Sequence, residues 1–187
     1  PGLPERYWVL AGGGKSDFPV KIWPPEYWQM VVDDLAVLGI PCVQVGRATP
    51  GLLNHVQPKL RGVVDYVNRT SLRQMAQLVA HADGVLAQVS FPMHLAAALD
   101  RPCVVVAGGR ESWGWEAYVR ENRGLPAVER LRHPHRFLHT HALLDCCVFG
   151  GCRASHVLPT PKKRACRYPE RTATAAAGRC MVMITPR

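Results

Sequence analysis

Apolar residues come in short runs at two spacings along the first two thirds of the chain. Tyr7-Trp-Val-Leu-Ala11 is an apolar run stopped by Gly12-Gly-Gly14, the pattern of a buried strand feeding a tight loop. Pro24 and Pro25 suit the opening of a helix, and Trp28, Val31, Val32, Leu35 and Leu38 follow at helical spacing up to Gly39. Pro41–Val45 and Val63–Val67 read as a second and a third strand. Ser71-x-x-Gln74 has the form of a capping box and opens a second helix. Gly84–Gln88 and Cys103–Ala107 are the fourth and fifth strands, with a third helix between them that carries His94 in its first turn, near Met93.

Strands and helices alternating at this spacing predict an α/β fold with a Rossmann-like parallel sheet built from right-handed βαβ units. After about residue 125 the periodicity breaks. Histidines, arginines, prolines, cysteines and a Thr/Ala stretch from Thr172 to Ala177 take over. Two units are therefore expected, a Rossmann-like domain over residues 1–125 and an irregular, basic, cysteine-rich tail over 126–187. No repeat in the range of about 20–50 residues is found.

The length of 187 residues and the 48% hydrophobic content suit one domain with an appendage and an ample core. No apolar run of about 18 residues exists, so no transmembrane helix is predicted. Charge changes the picture more. Basic and acidic residues cancel over 1–129, and residues 130–187, with 11 basic and two acidic, carry the entire net charge of +9. A basic arm suits an anionic partner such as a membrane surface or glycolipid, and equally a plain solvated tail. Nucleic acid is not expected as a partner, because aromatics are not interleaved with these arginines.

Gly12-Gly-Gly-Lys-Ser16 is not a Walker A loop. That motif needs a glycine where Val9 stands, and a helix directly after Ser16, where prolines follow instead. Glycines after a first strand still let backbone approach a phosphate, and a plain tight turn is the other reading of Gly14 and its neighbours. A helix that opens just after a parallel strand favours anions at its N-terminus, which brings His94 to notice, either as a phosphate contact or as a core histidine. Cys42 and Cys103 lie within strand runs and read as small buried hydrophobes. The other five cysteines, Cys146, Cys147, Cys152, Cys166 and Cys180, crowd into a tail with little apolar content. A structural metal, iron or zinc, or disulfides would supply the missing stabilisation, and free thiols are the third reading. The histidines at 133, 135, 139 and 141 could add nitrogen ligands to such a metal site, and read first as a solvated basic loop.

Several of these residues together resemble a known family. Lys21-Ile-Trp-Pro-Pro-Glu-Tyr-Trp28, Thr70-Ser71-Leu72, and Ser90-x3-His94-Leu95 through Leu99 are similar, in this order, to the donor-site motifs of glycosyltransferase family 9, the ADP-heptose:lipopolysaccharide heptosyltransferases. The resemblance covers roughly residues 6–120 and implies one half of a GT-B enzyme, the donor-binding half, with the catalytic base in an N-terminal domain absent from this chain. It implies a nucleotide-sugar donor whose diphosphate lies near Ser16, Lys21, Ser90 and His94, with Asp17, Gly14, Thr70 and Met93 close by. The sugar, heptose from ADP-heptose, would pass with inversion to lipopolysaccharide core, another glycan or a protein, in the cytoplasm or at the inner membrane. Val89 and Phe91 stand where the family has Asp and Gly, and Val45-Gly46-Arg47 lacks the acidic residue that grips the donor ribose. Those departures keep a second expectation open, a non-catalytic scaffold whose metal-knotted basic tail binds an acidic partner. The tail and its closing Cys180-Met-Val-Met-Ile-Thr-Pro186 resemble the iron finger of autotransporter heptosyltransferases, which form large assemblies. This implies a metal on Cys147, Cys152, Cys166 and Cys180 and a homo-oligomer. Cys147 is preferred over Cys146 because Cys146 follows Leu143-Leu144 and is expected to face inward.

Overall fold

Side chains along each inner strand alternate between two apolar layers, and this alternation organises the molecule. The computed structural model describes residues 2–16, 19–49, 55–109, 118, 131–147, 152, 154–161, 164–174 and 176–186. Strands β1 (Trp8–Ala11), β3 (Cys42–Gln44), β5 (Val63–Asp65), β6 (Gly84–Gln88), β7 (Cys103–Gly108) and β8 (Arg136–His139) form a six-stranded sheet in the order β5-β3-β1-β6-β7-β8. Each of its pairings is parallel. A two-stranded antiparallel ribbon, β2 (Gly14–Lys15) with β4 (His55–Val56), stands beside it.

Val9, Val43, Val85 and Val105 face one layer with Met75, Leu78 and Val79 of α2 (Leu72–His81) and Met93 and Ala96 of α3 (Phe91–Ala98). Leu10, Cys42, Leu86 and Val106 face the other layer with Trp28 and Val32 of α1 (Pro25–Val37). A parallel sheet covered on both faces needs apolar residues at successive positions, which is why its strands read as unbroken apolar runs. Helix α1 opens with Pro25 in its first turn and stops at Gly39, whose φ of 71° any other residue would adopt only with strain. Helix α2 opens on the expected capping box, with Ser71 and Gln74 each accepting from the other's backbone N–H.

Three features differ from the sequence reading. The third strand stops at Asp65, two residues early, because the chain turns through Asn68 at φ 60°. Helix α3 starts at Phe91 rather than near Met93. The sheet also runs past the composition break, which lies outside the described residues. Strand β8 pairs along β7 with Phe137 and Leu138 as its only apolar residues, too few to give a strand signal. The tail then returns to the sheet. Strands β9 (Pro169–Arg171) and β10 (Ala176–Gly178) form an antiparallel pair, and one helical turn, α4 (Arg179–Val182), follows where none was expected. Cys180, Met181 and Ile184 are buried against Leu86 and Val106, and Trp23 Nε1 donates to Ile184 O at 2.8 Å.

Candidate functional site

Strand β1 has β3 on one side and β6 on the other, so the chain direction around the sheet reverses there. Open α/β sheets bind ligands outside the strand carboxyl ends at such a point. Here a cleft of about 870 Å³ lies there, floored by Ala11, Val45 and Gln88 from the ends of β1, β3 and β6. Thr70–Leu72 and Ser90–Pro92 line it too, so α2 and α3 both turn their N-termini on the cleft. Two helix starts with their positive ends on one space favour negative charge there.

Four of the seven donor residues read from the sequence line this cleft, namely Gly14, Lys21, Thr70 and Ser90. Ser16 is exposed in the turn after β2 and does not line it. Asp17 lies outside the described residues. Because α3 begins at Phe91, Met93 falls on its inward side and is wholly buried in the core, while its N–H donates to Ser90 O at 3.1 Å. His94 falls on the outer side. Its Nδ1 lies 3.4 Å from the Tyr118 hydroxyl and its ring meets Tyr118 edge-on, away from the cleft lining.

The next histidine in that stack, His135, is 3% exposed and packs between Tyr118 and Phe137, with no hydrogen-bond partner for either ring nitrogen among the described residues. Burial, helped by nearby His94, holds its pKa down at about 4. The solvated histidine loop expected from the sequence is therefore half wrong: His133 and His139 are exposed, but His135 is drawn under the start of β8.

Residues the sequence did not single out shape the cleft. Gln57 lies over both Gly13 and Gly46, so closely that a Cβ at either would collide with it. Gly46 also has φ 142°, and Gln57 Nε2 donates to Arg47 O at 3.1 Å. Asn68 holds the same loop from the other side, donating from Nδ2 to Ala48 O at 3.0 Å and accepting from Ala48 N at 2.9 Å. Gln88 is 3% exposed, and its Nε2 has no partner among the described residues. A buried amide donor at the cleft floor is suited to a ligand oxygen. The available signals were faint: a glycine two residues past a strand and an asparagine at a turn.

The five tail cysteines converge on another space. Gly109 lies against Cys147 and Cys180, and Gly178 against Cys166 and Cys180. Burial, then the other thiols, pushes Cys146 up to about 12, and burial pushes Cys180 up to about 11 and raises Cys166. The order of burial within the vicinal pair is the reverse of that expected. Cys147 is wholly buried, its thiol donating to Thr140 O and Leu144 O at 3.2 Å, and Cys146 is half-buried. All five are free thiols. As they stand, no three Cys, His, Asp or Glu side chains among the described residues are placed to hold a metal ion. The donor set suits iron or zinc in chemistry but not in present geometry. Cys42 and Cys103 are buried in the sheet as expected, and burial raises both thiol pKa values, Cys42 to about 11. Among the described residues no helix is long and apolar enough to cross a membrane.

Comparison with known proteins bears on this geometry. The model of glycosyltransferase family 9 (heptosyltransferase) matches residues 4–132, well over half of the chain. No curated protein matches significantly. Among solved structures, E. coli ADP-heptose lps heptosyltransferase II superposes with a TM-score of 0.55 at 18% identity, over 97% of this chain and 44% of that one. The family 9 glycosyl transferase from Veillonella parvula gives 0.55 at 19% identity, over 72% and 35%. The dodecameric iron-containing heptosyltransferase TibC, in complex with ADP-D-beta-D-heptose, gives 0.50 at 20% identity, over 74% and 33%. The chain spans less than half the length of each, and at these identities the likeness is one of fold.

Proposed function

The chain belongs to glycosyltransferase family 9, and on that footing we propose that its cleft binds the nucleotide-sugar donor of a sugar transfer. The observation that carries the reading is the meeting of two helix N-termini with Lys21, Ser90 and the Gly13-Gly14 loop around one cleft at the strand carboxyl ends. A diphosphate there is held by Lys21, by the Ser90 hydroxyl once it leaves Gln88 O, and by the Gln88 amide. His94 reaches the donor only if its ring leaves Tyr118 and turns toward the cleft. The donor class is a nucleoside diphosphate sugar, with ADP-heptose, named for TibC, as the reference compound. The acceptor hydroxyl, on lipopolysaccharide core, another glycan or a protein, and the base that deprotonates it face the cleft from outside this chain. The setting is the cytoplasm, with the basic tail toward an anionic acceptor or the inner membrane.

Calorimetric titration of the intact protein with ADP, UDP and GDP sugars tests this. Saturable binding to one of them, weakened by Lys21→Ala, is the expected result. No binding to any would reject the donor reading.

The cysteine cluster is the second part of the proposal. Cys147, Cys152, Cys166 and Cys180 close on a structural iron or zinc after side-chain rotation, and the support is the convergence of their thiols around Gly109 and Gly178. Metal binding would stabilise the thiolates of Cys166 and Cys180 against the burial that raises their pKa values. Protein purified without added metal should hold about one equivalent of iron or zinc per chain by elemental analysis. TibC also makes a homo-oligomer the assembly to test by light scattering.

A further inference from the structure

The described residues lining the cleft include Lys15, Lys21, Arg47 and His55 and no carboxylate. A nucleoside diphosphate sugar carries one negative charge on each of its two phosphates, and Lys21 with the helix starts already answers those. The remaining basic residues stand together. Lys15 and His55 are direct partners in the β2–β4 ribbon, and Thr49 bridges to His55, which brings the Arg47 loop alongside. Two basic side chains held directly across an antiparallel pair repel one another when both are charged, and an anion between them reverses the sign. Among the described residues neither Lys15 nor the Arg47 side chain has a hydrogen-bond or ion-pair partner, and Arg47 is exposed.

The backbone at Arg47 is not loose. Gly46 is fixed under Gln57, the Arg47 carbonyl accepts from Gln57, and Ala48 is bound twice by Asn68. A guanidinium on so fixed a loop is presented rather than merely present. It also leaves the end of β3, the strand next to β1. In dinucleotide-binding sheets that position decides what the ribose end of the site accepts: an acid there binds hydroxyls, and an arginine accommodates a phosphate.

We infer that Arg47, with Lys15 and His55, binds an anionic group of the donor beyond its diphosphate. This rests on the donor reading above and narrows it. The shared chemistry is a phosphate or carboxylate that a fork of N–H donors can hold in bidentate fashion. Its source is either a phosphate on the ribose or an acidic sugar.

The test uses calorimetry on the intact protein, at one ionic strength, with the nucleoside diphosphate that binds best. One pair of probes is that nucleotide with and without a 2′-phosphate. The other is its glucose and glucuronate conjugates. The charged member of one pair should bind about tenfold tighter or more, the size of a charge-assisted contact. The pair that shows the difference tells where the anion sits. Arg47→Ala should collapse the ratio and Arg47→Glu should invert it, favouring the plain ribose or neutral sugar. Lys59→Ala, an exposed cation outside the cleft, should leave the ratio unchanged. Equal binding within both pairs, in a protein that binds nucleotide, would overturn the anion pocket and leave the donor site standing. A ratio that survives both Arg47 variants would overturn the role of Arg47. If no nucleotide binds, both readings fall together.

Discussion

The sheet and the cysteine-rich tail hold themselves together differently. Inner strands bury valine and leucine on both faces against three helices. In the tail, by contrast, β9 and β10 are three residues each, α4 is a single turn, and the local apolar cluster of Val20, Cys147, Cys152, Ala154 and Val157 is small. Yet the end of the tail places Cys180, Met181 and Ile184 under the sheet face that α1 covers only in part. A segment that cannot fold on its own burial completes the core of the segment that can. The end of the tail is therefore a second cover of the sheet.

The sharpest way to break that conclusion is to empty the contact. Met181 is 1% exposed against Trp23, Trp28, Leu86 and Val106, and Met93 is its counterpart on the opposite face, wholly buried. Met181→Ala should cost about 2–5 kcal/mol, the same range as Met93→Ala, because both remove a buried side chain and leave a cavity. Urea unfolding of the intact protein, followed by tryptophan fluorescence, gives both values. A cost below about 0.5 kcal/mol for Met181→Ala alone, in the range of surface substitutions, would return the tail to the status of an appendage.

Acid should separate the two regions next. His135 sits where the chain leaves the tail side to form β8, and burial holds its pKa at about 4 against an ordinary 6.5. The unfolded chain therefore takes up this proton first as pH falls. Stability from the neutral, buried ring is fully present above about pH 6.5 and is lost progressively toward pH 4, by roughly 3 kcal/mol in all. His135→Leu should flatten the stability profile over that window. An unchanged slope would mean that the ring is solvated and that β8 is not anchored there.

Function should follow the sheet edge and not the tail. Lys21→Ala should weaken donor binding by about 1–3 kcal/mol, the range for a hydrogen bond between charged groups. The loss belongs in the binding isotherm, with the urea midpoint little moved. A shift confined to the midpoint would make Lys21 a structural residue of the loop.

How much of this was legible follows the same division. The strands β1, β3, β6 and β7 and the capped helix α2 could be read because burial on two faces writes continuous apolar runs and the capping box writes its own signature. Gly14 was read from the glycines after the first strand, and Lys21, Thr70 and Ser90 through the family resemblance; the four line one cleft. Met93 and His94 could not be oriented, since a helix start displaced to Phe91 rotates both side chains off the cleft. Gln57 and Asn68 were silent because their roles are loop geometry, set by contacts far apart in sequence. Strand β8 was hidden because an edge strand with only Phe137 and Leu138 apolar gives no periodicity.

The smallest expected effect tests how the tail is fastened. Glu26, in the first turn of α1, accepts from Ala173 N at 3.0 Å and from Thr174 Oγ1 at 2.6 Å, tying the Thr/Ala stretch to the helix start. Burial pushes the carboxyl pKa up, but hydrogen bonds from Thr174, Thr172 and Ala173 outweigh it and hold it below the ordinary value. The charge also suits the positive end of the helix. A depressed folded pKa means that the contribution is present above the unfolded value of 4.5 and is lost as pH falls through the lower, folded one. Glu26→Gln keeps the shape, removes the charge and should cost about 1 kcal/mol. The tail should then fray before the sheet, seen as faster amide exchange at Ala173 and Thr174 with the strand amides unchanged. Equal acceleration in β1 and β6 would show instead that tail and sheet open as one unit, which would carry the conclusion from Met181 further than the buried contact alone allows.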